Sequence, residues 1–171
     1  MQIQLNSSIM HLEDEPLDIG YNSERVEVKN SQGEVVKIGG FARITQILIS
    51  LPFIDEQTHK ELENIAALIP NSDEHPVTAA LIVASDTISD PKVKGINYFV
   101  DFDEAYGDWY GVRLADGPYE KELTKAICLI SKDGGLFHSD IVSDLTQSFN
   151  LEVLDRKILA AQMCYTGKGC H

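Results

Sequence analysis

Cysteine is scarce and late. The 171 residues hold three, at positions 128, 164 and 170, and none precedes Cys128. An odd count placed in this way excludes a disulfide framework of the secreted kind. Long apolar runs are absent as well. None approaches the ~20 residues that cross a bilayer, so no membrane span is expected. Basic residues are few, with 14 Lys and Arg against 27 Asp and Glu, a net charge of −13. Such a chain repels phosphate backbones and anionic lipid surfaces, which argues against nucleic acid and membrane as partners. The first ten residues lack a basic stretch followed by an apolar one. No secretory signal is read there, and the cytoplasm is the expected compartment. No internal repeat or low-complexity segment is visible.

What is present suffices for a core. Hydrophobic residues make up 43% of the chain, and a chain of this length buries roughly two thirds of its unfolded surface. Residues 1–24 are polar and acidic and read as a loose arm with one short strand. Alternation over 25–30 and 34–38, around Gly33, predicts a hairpin. The β-branched run at 44–51 predicts a strand buried on both faces. Asp55 can cap a helix over 56–69, where Leu62, Ile65, Ala66 and Ile69 share one face. Strands are expected at 77–85 and 96–101, with a loop or short helix between them. A short helix follows at 103–110. A β-hairpin over 124–131 and 136–142 turns at Lys132-Asp133-Gly134-Gly135. A last helix covers 151–163. Strands alternating with helices imply parallel pairing, and the late hairpin adds antiparallel edge strands. The expected architecture is an α/β domain: a central mixed β-sheet flanked by helices, in thioredoxin-like order. The division expected is an arm at 1–24, a domain at 25–163, and a flexible cysteine-containing tail at 164–171.

Tyr110-Gly111-Val112, then Ala115-Asp116-Gly117-Pro118, then the strand at 126–130 and its Lys132-Asp133-Gly134 turn resemble the thiol peroxidases, the atypical two-cysteine branch of the peroxiredoxins. Leu51-Pro52-Phe53-Ile54-Asp55 looks like that family's Pro-Ser-Ile-Asp. The resemblance covers residues 20–163. It implies a peroxiredoxin-type thioredoxin fold, a homodimer, and thioredoxin or another redox protein as partner. It implies no cofactor and no metal. The family's reaction needs a cysteine thiolate whose pKa is pulled below ~8.5 by nearby positive charge and a helix N-terminus. A Thr hydroxyl and an Arg hold the peroxide.

The chain departs from that pattern at three places. Where the family has Thr, two residues and then its reactive cysteine, Asp55 is followed by Glu56-Gln57-Thr58-His59-Lys60-Glu61. The region 86–94, matching the family's resolving cysteine, holds none. The family's arginine pairs best with Asp103, and a carboxylate there would raise a thiolate's pKa. Pro52, Asp55, Thr58 and Asp103 therefore read as a degenerate family site. Cys128, between Ile127 and Leu129, reads as a core residue. His59 reads as a solvated helix residue, and Thr58 as serving the helix start. Tyr98, Phe99, Phe102, Tyr106, Trp109 and Tyr110 read as core, with a part of them available as a dimer surface.

Cys164 and Cys170 form the candidate redox pair, with Lys168 and His171 beside Cys170 to favour its thiolate. Their Cys-x5-Cys-His spacing matches neither a zinc knuckle nor a haem attachment motif. Three functions stay open. One is a binding or repurposed protein that has lost the peroxidase reaction. The second is a thiol redox protein or sulfur carrier using Cys164 and Cys170. The third is a thioredoxin-dependent peroxidase working by an altered route.

Overall fold

The computed structural model of the chain describes residues 1–163. Its elements run β1 (Gln2–Leu5), β2 (Ser8–His11), β3 (Val26–Lys29), β4 (Val35–Ile38), β5 (Thr45–Ser50), α1 (Glu56–Leu68), β6 (Val77–Val83), β7 (Asn97–Val100), α2 (Ala105–Tyr110), β8 (Ala126–Ile130), β9 (Leu136–Ile141) and α3 (Leu151–Met163). Seven strands form one mixed sheet in the order β4-β3-β7-β6-β5-β8-β9. β5, β6 and β7 are parallel, while β8, β9 and the β3–β4 hairpin run antiparallel to their neighbours.

The central place of β5 explains its sequence. All six of its residues are buried, so neither face can be polar on the solvent side. Ile47 and Ile49 face the core that Leu62 and Ile65 of α1 share with Leu154 and Ile158 of α3. Leu48 faces the opposite core, with Tyr106 and Tyr110 of α2 and with Val26 and Val28. The helices thus lie on both faces of the sheet.

One expectation changes. Residues 1–24 are not a loose arm. β1 and β2 pair as a second hairpin, and Ile3 and Met10 are fully buried in the α1–α3 core. Their alternation spans only four residues per strand, too short to stand out among polar neighbours. The expected hairpin at 25–38 is also present, as β3–β4. Between β6 and β7 the chain forms a loop rather than a helix.

The Tyr-Gly-Val motif has a steric basis. Tyr110 stacks on Tyr106 at 4.5 Å between ring centroids and donates its hydroxyl to the Glu24 carbonyl at 2.8 Å. Gly111 ends α2 at φ +69°. A Cβ there would collide with the Glu15 carbonyl and lie 2.7 Å from Pro16 Cα. Both obstacles are backbone, so Gly111→Ala combines left-handed strain with a clash. It is expected to destabilise the protein by about 2–4 kcal/mol, read as a shifted urea midpoint. A loss below about 0.5 kcal/mol would contradict this account of the motif.

Candidate functional site

The parallel strand β5 delivers Pro52 and Asp55 to the start of α1, where the sequence places the family's reactive loop. Pro52 is buried and Asp55 exposed. Asp55 caps α1. Its carboxylate accepts from the Thr58 backbone N–H at 2.8 Å, and its own N–H donates to the Thr58 hydroxyl at 2.8 Å. This reciprocal capping box satisfies two donors that the helix start leaves free. The Thr58 hydroxyl also bonds the Asp55 carboxylate at 3.0 Å. The cap therefore engages the Thr58 hydroxyl. His59 follows on the outer face, with Nδ1 3.1 Å from Glu63 Oε1, one turn along the helix.

Behind the cap lies an ion pair that the sequence reading missed. Glu61, on the inner face of α1, meets Lys125 at 2.6 Å. Both side chains are buried, Lys125 to 1% exposure. Lys125 Nζ also donates to the Gln147 carbonyl at 2.7 Å and lies 5.0 Å from the Phe149 ring centroid. The other Glu61 oxygen accepts from the Phe149 backbone N–H at 2.8 Å. The pair thus ties α1, the residue leading into β8 and the segment before α3 together. Each charge meets its opposite and at least one further hydrogen-bond partner, which a buried charge requires. Two signals for it stood in the sequence. Lys125 immediately precedes the apolar strand run 126–130, and Glu61 falls at helical spacing from Thr58 and Ile65 on the buried face.

Asp103 does not join Pro52, Asp55 and Thr58. It precedes α2, across the sheet from α1, and accepts from the Ala105 N–H at 3.2 Å. The physical reason is topological: β7 feeds α2, whose side chains pack in the other core. The cation near α2 is Arg113, with Nη1 2.9 Å from Glu13 and 2.6 Å from Asp108. Burial works against its charge, but the two carboxylates outweigh burial and raise its pKa. The charge serves to join the N-terminal segment to α2. Asp101 plays a parallel structural part by accepting from the Tyr106 and Gly107 N–H groups at 2.9 Å each.

Cys128 is the one cysteine among the described residues. It lies on β8 inside the α2-side core, and burial pushes its thiol pKa up to about 12. Cys164 and Cys170 lie outside the described residues.

The chemistry available at the start of α1 follows. The nearest buried cation, Lys125, is neutralised by Glu61. No sulfur lies in the segment between Pro52 and Glu61. The place is built to hold a helix end and a closed ion pair.

No family model matches the chain. Among curated proteins, it is 37% identical over 51 residues to the thiol peroxidase of Mycobacterium tuberculosis, a match spanning 30% of this chain and 31% of that relative's length. It is 24% identical over 138 residues to the thiol peroxidase of Aquifex aeolicus, covering 78% of this chain and 80% of that one. Among solved structures, a peroxiredoxin-like protein from Aquifex aeolicus superposes with a TM-score of 0.84 at 17% identity, covering 94% of this chain and 96% of that one. A thiol peroxidase from Chromobacterium violaceum gives 0.77 at 13% identity, covering 95% and 97%. At these identities the structures speak for the fold.

Proposed function

We propose that this chain, which belongs to the thiol peroxidase/peroxiredoxin family and carries its thioredoxin-like fold, is a binding or redox-associated protein that no longer runs the family's peroxide reduction. The observation that carries this reading is the Glu61–Lys125 pair closed behind a helix start that offers no sulfur. Peroxide reduction needs a thiolate to take one peroxide oxygen as a sulfenic acid and release the other in water or an alcohol. The thiolate in turn needs a net positive surrounding. In this reading a carboxylate stands against the buried cation, so the charge that would stabilise a thiolate is already spent.

The test is hydrogen peroxide consumption with dithiothreitol, and separately with thioredoxin and its reductase. The expected rate equals the protein-free blank. A protein-dependent rate that disappears in Cys164→Ser or Cys170→Ser would establish the altered-route peroxidase instead, with thioredoxin as its reductant.

Self-association in the cytoplasm belongs to the same reading. Tyr106 and Tyr110 are buried, but Trp109 and Phe102 are exposed at 57% and 40%, on and just before α2. Of these, Trp109 is the aromatic that a second copy can cover. Sedimentation of the full chain is expected to give a dimer that Trp109→Glu dissociates. A wild-type monomer at high concentration would contradict it. Among the described residues, no helix is long and apolar enough to cross a membrane.

A further inference from the structure

We propose that the cleft at the carboxyl ends of β6 and β7 binds a small zwitterion, a molecule carrying one ammonium and one carboxylate. In open α/β sheets, crevices outside the carboxyl ends of parallel strands are where ligands sit. Here β6 and β7 are parallel, and β3 touches β7 only at the Lys29–Val100 register. The gap encloses about 550 Å³ between the β3–β4 turn and the loop after β6, within the usual size of small-molecule sites.

The two walls carry opposite charge. Lys29 stands on one, with Nζ 4.7 Å from the Phe102 ring centroid. Asp86 and Asp90 stand on the other. Among the described residues, no carboxylate lies within ion-pair distance of Lys29, so the walls do not neutralise each other directly. The acidic wall is held in place. Tyr98 donates its hydroxyl to the Ile88 carbonyl, the Ser85 and Thr87 hydroxyls bond each other at 2.7 Å, and Asp90 accepts from the Lys92 N–H at 2.8 Å.

Charge complementarity selects the ligand. A lone anion entering the cleft meets Lys29 and also two carboxylates. A lone cation meets the carboxylates and also the ammonium. A molecule with both signs satisfies both walls, and its carbon chain lies against Phe102 and Val100. The cleft uses none of the residues at the start of α1. Its test is therefore independent of the peroxide assay.

The experiment is an amide-shift NMR titration, with calorimetry, of the full chain. The probes are glycine, 4-aminobutyrate and 6-aminohexanoate, which separate the two charges by increasing spans. Butyrate and butylamine serve as single-charge controls. The expected result is saturable binding of at least one zwitterion, with shifts at Lys29, Asp86 and Tyr98. Lys29→Met and the double variant Asp86→Asn/Asp90→Asn are each expected to weaken it about tenfold. Absence of saturation by all three zwitterions overturns the proposal. So does equal binding of a single-charge control, or unchanged affinity in both variants, whose folding is checked by the amide dispersion of their own unliganded spectra; Asp86 is exposed and Lys29 and Asp90 are half-buried.

Discussion

Lys125→Met is expected to lower the free energy of unfolding by about 3–5 kcal/mol, measured by urea denaturation at neutral pH. The substitution fits the volume but leaves Glu61 buried opposite a thioether. Its remaining partner is the Phe149 N–H at 2.8 Å, one hydrogen bond for a whole charge. Glu61→Gln is expected to be milder, because the amide keeps the volume and an acceptor oxygen for Lys125. The double variant Glu61→Leu/Lys125→Met removes both charges and leaves two apolar side chains among Leu62, Ile65 and Phe149. Its loss is expected to be smaller than that of Lys125→Met alone, since replacing a buried pair by apolar residues is often neutral. That non-additivity separates a charge-pairing role from simple packing. Additive losses would show that the two side chains do not work as a pair.

The second large effect lies on the other face of the sheet. Cys128 has its pKa pushed up to about 12 by burial, with the Tyr106 hydroxyl lowering it in part. Tyr106 and Tyr110 are raised above the ordinary tyrosine value, first by burial; Cys128 and Tyr110 add to the shift of Tyr106, while for Tyr110 the hydrogen bond to Ser23 offsets part of the burial and Cys128 adds to it. All three sit in one core, and all three are neutral when protonated. The folded chain therefore holds these protons more tightly than the unfolded chain. Their contribution is fully present below the unfolded pKa values and is lost as pH rises through the folded ones. For Cys128 that window runs from about 9 to about 12. Stability is expected to fall above pH 9 by up to about 1.4 kcal/mol per pH unit for each group in its window. Cys128→Ala and Tyr106→Phe are each expected to flatten the slope, even though each costs some stability at pH 7. In the native state at pH 8, a thiol reagent is expected to reach Cys128 about a thousandfold more slowly than in urea, since its thiolate fraction falls with the raised pKa. A pH-independent midpoint up to pH 11 would contradict the shared burial of these groups.

The fold was legible because its strongest elements obey one period each. The run at 44–51 is apolar throughout because β5 is covered on both faces, and the spacing of Leu62 and Ile65 shows which side of α1 is inward. The N-terminal hairpin was not legible. Ile3 and Met10 are buried by contacts with the distant segments after β9 and α2, such as Gln4 with Ser143 and His11 with Asp116, and no local pattern announces them. The site was legible only in part. Pro52, Asp55 and Thr58 fall together because they are close in sequence. Asp103 does not join them, because which end of the sheet a residue reaches depends on the crossover that carries it there. Lys125 and Glu61 are separated by 64 residues, and a charge at the edge of an apolar run is ambiguous until its partner is known.

The most direct test treats the reduced full-length chain with hydrogen peroxide in the presence of a sulfenic-acid trap, and reads the adducts cysteine by cysteine by mass spectrometry over time. The account predicts that Cys128 stays unmodified and that Cys164 and Cys170 react no faster than the same thiols in urea. A sulfenic acid forming orders of magnitude faster at Cys164 or Cys170 in the native chain, and slowing on unfolding, would mean that a thiol still does the family's chemistry here.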